Sequence, residues 1–535
     1  MTKSSSSFQR NVVSTALRTL ICFILLRFCW TRNSFSDLDL STQTLNLGVT
    51  GFKITGNAAG DYLGYSVSTA GDINNDGHDD IIVGAQLWNG GQGAAYVIYG
   101  GEESSFLNLD LSTITLDPLT TGFMITGDST LSNFGSSVSK AGDINSDGYD
   151  DIIVGAYKRN SYQGVAYVVY GGAKSSMSNI ALSSTTLDPI STGFRMTGES
   201  SSSLGYSVST AGDTNNDGYD DIIVGAYGKN SGQGAAYVVY GGPKSTMSNI
   251  ALSSTTLDPL TTGFMITGNA VNDYFGYSVS TAGDINNDGY DDIVIGAYQK
   301  NSNQGAAYVI YGGAKASMTN IVLSSTTLTP LTTGFMITGN AAGDQFGRSV
   351  STAGDINNDG YDDIIVGTPG KNSYQGAAYV IYGGAKSTMS NIVLSSTTLT
   401  PTSTGFTITG NAAGDLFGYS VSTAGDTNND GYDDIIVGAP NKNSNQGAAY
   451  VVYGGVKSTM PNIVLSSITL DPTSTGFTIL GNAGGDKFGS SVSKAGDINN
   501  DGYDAIIIGA REKNSQQGAA YVIYGKFYFD SLYSN

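Results

Sequence analysis

A chain of 535 residues with 73 glycines, 33 tyrosines and 13 % charged residues carries a formal net charge of −20. No lysine or arginine stripe is present to neutralise phosphates, which argues against a nucleic-acid partner. Both cysteines, Cys22 and Cys29, precede residue 37, so the remainder holds no disulfide and performs no thiol chemistry.

Residues 1–36 differ from everything that follows. Lys3, Arg10 and Arg18 precede the apolar run from Leu20 to Leu26, and Arg27 interrupts before Phe28-Cys29-Trp30. A basic segment followed by a short apolar one reads as a secretory signal, placing the protein outside the cell or on its surface. The run falls short of the roughly 20 residues that a spanning helix needs. An uncleaved membrane anchor and an incorrect start codon are the other two readings.

From Asp37 to residue 525 the chain repeats itself, and residues 526–535 form a tail outside the pattern. One aspartate-rich nonapeptide recurs seven times, beginning at Asp72, Asp143, Asp213, Asp284, Asp355, Asp426 and Asp497, with spacings of 71, 70, 71, 71, 71 and 71. Such a period marks one repeat architecture rather than several domains. In the unit that starts at Phe275, Gly276–Thr281 alternates apolar and polar residues as a half-buried strand does. The nonapeptide follows, then the apolar run Ile293–Ala297, a turn over Lys300–Gly305, a third strand over Ala306–Tyr311 and a fourth over Gly334–Gly339. Four antiparallel strands repeated seven times predict an all-β, seven-bladed β-propeller. Gly51-Phe52-Lys53-Ile54-Thr55-Gly56 is a fourth-strand sequence placed ahead of the first nonapeptide, whereas the last repeat stops after its third strand. The N-terminal strand is therefore expected to complete the seventh blade and close the ring, removing an exposed edge.

Read as ligands, the nonapeptide offers oxygen at alternate positions, with a glycine sixth where the loop must turn sharply. In the fourth repeat these are Asp284, Asn286, Asp288, the Tyr290 carbonyl and Asp292. The first repeat supplies Asp72, Asn74, Asp76, the carbonyl of His78 and Asp80, and the second Asp143, Asn145, Asp147, Tyr149 and Asp151. The third supplies Asp213, Asn215, Asp217, Tyr219 and Asp221, and the fifth Asp355, Asn357, Asp359, Tyr361 and Asp363. The sixth supplies Asp426, Asn428, Asp430, Tyr432 and Asp434, and the seventh Asp497, Asn499, Asp501 and Tyr503, with Ala505 at position nine. This is the first part of an EF-hand-type loop, without the glutamate at position twelve and without flanking helices. Carboxylates this close repel by roughly 3–4 kcal/mol per pair at an effective dielectric near 20. A Ca²⁺ ion removes that cost. The competing reading is a row of turns without metal, since Asp, Asn and Gly are turn formers; sevenfold recurrence speaks against it. Six calcium sites are expected and a seventh, lacking one carboxylate, is expected to be weak. The loops hold 27 of the 45 acidic residues, four in each of six loops and three in the last, so the acidity is a metal-site signature.

Phe275-Gly276, the loop and Gly296-Ala297 together resemble the FG-GAP repeats of the integrin α-subunit propeller. Phe417-Gly418 with Gly438-Ala439-Pro440 is nearest that form, while Leu63 and Leu204 replace the phenylalanine and Gly367-Thr368-Pro369 replaces Gly-Ala-Pro. The resemblance covers about 490 residues. It implies calcium loops on one face and a ligand surface on the opposite face, built from the connections entering strand one and joining strands two and three. It also implies a monomeric propeller acting as an extracellular, protein- or matrix-binding adhesion module. Similar propellers occur in fungal lectins and in a secreted phospholipase D, so a glycan-binding propeller is the alternative, with an accessory domain of a secreted hydrolase third. No segment after residue 525 resembles integrin leg domains or a membrane helix, so a full integrin partnership is not expected.

The connections into strand one repeat an aspartate at Asp61, Asp273, Asp344, Asp415 and Asp486; repeats two and three break the pattern with Asp128–Ser132 and Glu199–Ser203. These odd repeats are either a binding patch or drift. His78 is the sole histidine. With no zinc constellation, no free cysteine nucleophile and no Gly-x-Ser-x-Gly, an enzyme is not expected. The regular third-strand tyrosines read as core packing, with a carbohydrate platform as the other use. No Asn-X-Ser/Thr sequon occurs.

Overall fold

In the computed structural model, residues 37–47, 49–102 and 106–525 are described; the expected leader and C-terminal tail lie outside them. In the fourth repeat, the strands are Ser278–Gly283, Asp292–Ala297, Ala306–Ile310 and Gly334–Thr338, paired antiparallel in that order. The second and third are buried at every position, while the first alternates. The pattern follows from position: strands two and three are covered on both faces by neighbouring blades, and strand one lines the axis beside its counterparts. Every blade repeats the arrangement, giving seven sheets.

The blade also takes a fifth strand that the sequence does not announce. Ile392–Val393, from the next repeat's connection between strands three and four, pairs parallel with the fourth strand. Each outer edge is thereby covered by chain from the following blade.

Closure occurs as expected and goes one step further. Gly51–Thr55 pairs antiparallel with Ala519–Ile523, with Gly51 opposite Ile523, as the fourth strand of the seventh blade. Leu38–Asp39, upstream, pairs parallel with Ile479–Leu480 as the fifth strand of the sixth. The N-terminus thus laces two blades.

The hydrophobic core is divided into seven slabs, each between adjacent blades. Between blades two and three, Ile153, Val168 and Phe194 meet Val208, Ile222 and Tyr237. Between blades seven and one, Phe52, Ile507 and Val522 meet Ile81, Val83 and Tyr96, so the closing interface is packed like the others. Each fully buried Ile or Val contributes on the order of 1.5–3 kcal/mol.

The motif residues have a physical role in this packing. Phe275 is fully buried, its ring 5.3 Å from Tyr308 in a T-shaped contact. Gly276 has φ +80°, and a Cβ there would lie 2.2 Å from the Ala235 carbonyl oxygen of the preceding blade. The glycine of the second strand faces the same seam: a Cβ on Gly296 would lie 2.0 Å from the Gly347 carbonyl oxygen of the next blade. Phe-Gly and Gly-Ala are therefore where backbones of successive blades touch.

The turn between strands two and three closes as a four-residue coil, Lys300–Asn303, with Asn301 and Ser302 left-handed at φ 51° and 60°. The third-strand tyrosines are core: Tyr308 is buried, as are its equivalents, and they form no sugar platform.

Candidate metal centre

All seven nonapeptides join strand one to strand two, so the loops share one end of the propeller. In the fourth loop, Asp284 Oδ1 accepts from the Asp288 amide at 3.0 Å and Oδ2 from the Gly289 amide at 2.8 Å, folding the loop around its first carboxylate. Asp288 Oδ1 accepts from the Tyr290 amide at 3.3 Å. At position nine, Asp292 is fully buried, its Oδ1 accepting from the Gly312 amide and its Oδ2 from Asn286 Nδ2 at 2.7 Å. The same bonds recur in the first loop around Asp72, Asp76 and Asp80.

Whether these residues fit a cation turns on the asparagine at position three. Its Nδ2 is held by the position-nine carboxylate, which turns Oδ1 the other way. The Oδ1 atoms of Asn74, Asn145, Asn215, Asn286 and Asn357 are buried without any hydrogen-bond partner. Leaving a buried acceptor unsatisfied costs about 1–3 kcal/mol, and here it happens five times at equivalent positions. Position-nine carboxylates Asp80, Asp151, Asp221, Asp292, Asp363 and Asp434 are all fully buried. Burial pushes Asp80 up to about 8 and Asp221 up to about 7, the latter less because the Thr214 hydroxyl adds a donor. A carboxylate has about four lone-pair sites, so those bonded to amides retain capacity for a hard cation. Among the described residues no three His, Cys, Asp or Glu side chains converge into a cage; the set here mixes carboxylates with an amide oxygen and a carbonyl. These donors are all oxygen and suit Ca²⁺.

The seventh loop differs as Ala505 requires. Without a carboxylate at position nine, Asn499 Nδ2 turns to Asp501 Oδ2 at 3.2 Å. His78 replaces tyrosine at position seven of the first loop, its Nδ1 lying 3.4 Å from Asp76. Asn428 in the sixth loop is half-buried.

Two further sets of residues belong to this end and escaped the sequence reading. The first is the aspartate at position eight, which points away from its own loop. Asp362 Oδ2 accepts from the Asp284 amide of the preceding blade at 2.9 Å, and Asp79 Oδ2 accepts from the Asp497 amide, also at 2.9 Å. With the remaining five, the clasps run unbroken around the ring. A signal was present: Asp504 persists in the repeat where position nine is alanine.

The second set is lysine. Lys174 Nζ lies 2.6 Å from Asp76 Oδ2, and Lys244, Lys315, Lys386 and Lys457 pair likewise with Asp147, Asp217, Asp288 and Asp359. Each lysine comes from the repeat after the loop it serves and stands over a tyrosine ring, Lys386 at 4.9 Å from Tyr311. The lysine neutralises part of position five and competes there with any metal.

The opposite end carries the connections into strand one and the turns between strands two and three. The repeated aspartate there is structural: Asp344 Oδ2 accepts from the Ala341 amide, and Asp486 pairs with Lys513 at 3.1 Å. The odd repeats keep an ion pair by other means, Asp128 with Arg159 at 2.5 Å and Glu199 with Lys229. A cleft of about 940 Å³ opens between the first two blades, its wall including Asp61, Leu87, Leu131, Lys158 and Tyr162. Leu131 is 70 % exposed.

Comparison with known proteins agrees with this architecture. The FG-GAP repeat model matches residues 63–98, 134–169, 204–239, 275–310, 346–381 and 417–452; the seventh blade, with Ala505, lies outside those ranges. Integrin alpha pat-2 of Caenorhabditis elegans is 31 % identical over 253 residues, covering 44 % of this chain and 18 % of the relative. Integrin alpha-IIb of Mus musculus is 33 % identical over 205 residues, covering 37 % and 17 %. Integrin alpha-8 of Mus musculus is 32 % identical over 182 residues, covering 33 % and 16 %. The matched stretches thus span less than a fifth of each relative. The chain is an FG-GAP repeat protein whose seven-bladed β-propeller resembles that of the integrin α subunit.

Proposed function

We propose that this protein is a calcium-binding extracellular β-propeller that acts as a protein- or matrix-binding module. The observation that carries the reading is the set of five buried, unpartnered Asn Oδ1 atoms beside fully buried aspartates at one end of the ring. A cation bound to Asp72, Asn74, Asp76, the His78 carbonyl and Asp80, and at the equivalent positions of the other loops, would satisfy both groups. Calcium in this role is structural: it stiffens each strand-one to strand-two hairpin and leaves the opposite face free. Extracellular modules of this kind work with Kd around 10⁻⁴–10⁻³ M. The ligand would dock on that opposite face, where the cleft between blades one and two exposes Leu131 and Tyr162. The chain works by binding rather than catalysis, as its carboxylates are committed to loops, clasps and ion pairs.

The test is binding of the full chain to a panel of matrix proteins, cell surfaces and glycans, in millimolar calcium and in chelator, with the fold followed by circular dichroism. Protein-selective binding, lost only when the chelated fold melts, is the expected result. Binding to no protein while the fold is intact would overturn it. Sugar-competed binding would favour a lectin-like propeller, a reading that Tyr162 and Tyr374 support by standing 47 % and 52 % exposed on the strand-two to strand-three turns.

A further inference from the structure

The mouth of the axial channel, at the end away from the metal loops, is lined by one residue from the start of each first strand and one from the end of each second strand. Half of these fourteen positions are tyrosines, and together with two arginines they form a run of ring contacts around the axis. Tyr157 of the second blade meets Tyr206 of the third edge-on at 5.1 Å, and the hydroxyls of Tyr206 and Tyr277 are 2.6 Å apart. Two of the positions, one in the fifth blade and one in the seventh, hold arginine. The Arg348 guanidinium lies 5.5 Å from the Tyr277 ring and 4.7 Å from the Tyr419 ring. The Arg511 guanidinium lies 5.7 Å from Tyr419 and 5.4 Å from Tyr65, which carries the run on to the first blade.

Neither arginine has a close carboxylate partner. Stacked rings take the faces of a guanidinium and leave its five in-plane N–H donors to find acceptors. Among the described residues Arg348 has no carboxylate partner, and its hydrogen bonds go to the hydroxyls of Tyr419 and Tyr298. Arg511 has one distant carboxylate, Glu512 at 3.8 Å, and a 3.4 Å hydrogen bond from Nη1 to the Tyr419 hydroxyl. Two guanidinium groups thus converge on one tyrosine in a protein of net charge −20, at a half-buried place that solvent still reaches. Like charges so placed are held apart only weakly by water and gain from a shared anion.

We propose that the Arg348–Tyr419–Arg511 cluster is a binding site for a carboxylate, presented along the propeller axis by an acidic side chain of a polypeptide partner. The protein supplies its own indication of what the site accepts. Burial would raise the Tyr419 phenol, but Arg511 and Arg348 pull it down to about 8, so an oxyanion is stabilised at that point. A polyanion such as a phosphorylated surface is disfavoured by the overall charge, whereas a single carboxylate meets only the local field. The inference names a subsite within the protein-binding reading above and does not depend on calcium, because no loop residue lies at this end.

The repeat itself supplies substitutions that fold. Tyrosine occupies the Arg348 position in four other blades, at Tyr65, Tyr206, Tyr277 and Tyr419, and the Arg511 position in three, at Tyr157, Tyr227 and Tyr298. The experiment immobilises the full chain in calcium and measures binding of a neutral Gly/Ser peptide carrying one central aspartate, against the same peptide with asparagine, free acetate and inorganic phosphate. The aspartate peptide is expected to bind and the asparagine peptide not. Arg348→Tyr and Arg511→Tyr should each weaken binding about tenfold, the factor that loss of one charge-assisted hydrogen bond produces, with calcium stoichiometry unchanged. Arg159→Gln, at the Asp128 ion pair, serves as the control and should change nothing. Binding should also fall as pH rises through 8, when the Tyr419 phenolate, facing Arg348, Arg511, Tyr65 and Tyr277, with Glu512 beside Arg511, fills the site itself. Equal binding of the two peptides, or arginine variants that bind as the parent does, would overturn the proposal. Acetate or phosphate binding as tightly as the peptide would overturn its polypeptide part and leave a small-anion site. Loss of matrix binding with the peptide result intact would instead count against the adhesion reading alone.

Discussion

Single positions decide how each loop behaves. Ala505 removes one carboxylate from the seventh loop, and Asn499 has already turned its amide to Asp501. Ala505→Asp should raise bound calcium by one equivalent in equilibrium dialysis, raising the melting temperature in calcium and lowering it in chelator, where the new carboxylate is buried without a cation. Unchanged stoichiometry would show that the loop is limited by something else. Lys386 acts oppositely, neutralising Asp288 from the next blade. Lys386→Met should tighten calcium at the fourth loop a few-fold while lowering metal-free stability by about 0.5–1 kcal/mol, the value of a partly exposed pair with a stacked ring. A calcium titration paired with chemical denaturation separates the two effects. The loop's hydrogen bonds around positions one, five and nine follow a pattern readable from the sequence, because the spacing of its Asp, Asn and Gly is local. The lysine was not, because its partner lies 98 residues away and only the ring brings them together.

At the level of strands and loops, the inter-blade clasp is the feature with the clearest energetic signature. Position-eight aspartates accept a half-buried amide from the preceding blade, and Asp291 is pushed up to about 6 by burial, then by nearby aspartates. Asp362→Ala leaves the Asp284 amide unpaired and should cost about 1–3 kcal/mol, with Asp362→Asn recovering much of it; urea denaturation at pH 7 in calcium measures both. Equal losses would mean that charge rather than the hydrogen bond matters. Alternation, apolar runs and turn residues gave the four strands of each blade, within two residues of where they lie. The two-residue fifth strand escaped because Ile392–Val393 carries no period that can be read, and its register comes from the neighbouring blade.

For the molecule as a whole, burial of the loop aspartates links stability to pH. Asp80 and Asp221 hold protons up to about pH 8 and 7 in the folded, metal-free state, against about 3.9 when unfolded. A folded value raised above the unfolded one gives stability that is complete below about pH 4 and lost as pH rises through 7 and 8. The chelated protein should therefore melt lower at pH 8.5 than at pH 5.5, while saturating calcium should abolish most of the difference. The gap between the two melting curves should widen with pH, and calcium addition near pH 7 should release protons. A constant gap would mean that these carboxylates are ionised without metal.

The N-terminal lacing also sets a clock on how the chain is made. Strand Gly51–Thr55 is synthesised before its partner, Ala519–Ile523, which follows only after the six intervening blades. At about 5–20 residues per second, the first strand waits roughly 25 to 95 seconds with an unpaired edge. Throughout that interval near-identical strands such as Gly122–Thr126 and Gly334–Thr338 are being produced beside it. A ring that closed early, around fewer blades, would use the same pairing rules, so the yield of seven-bladed protein depends on keeping one short strand from choosing too soon.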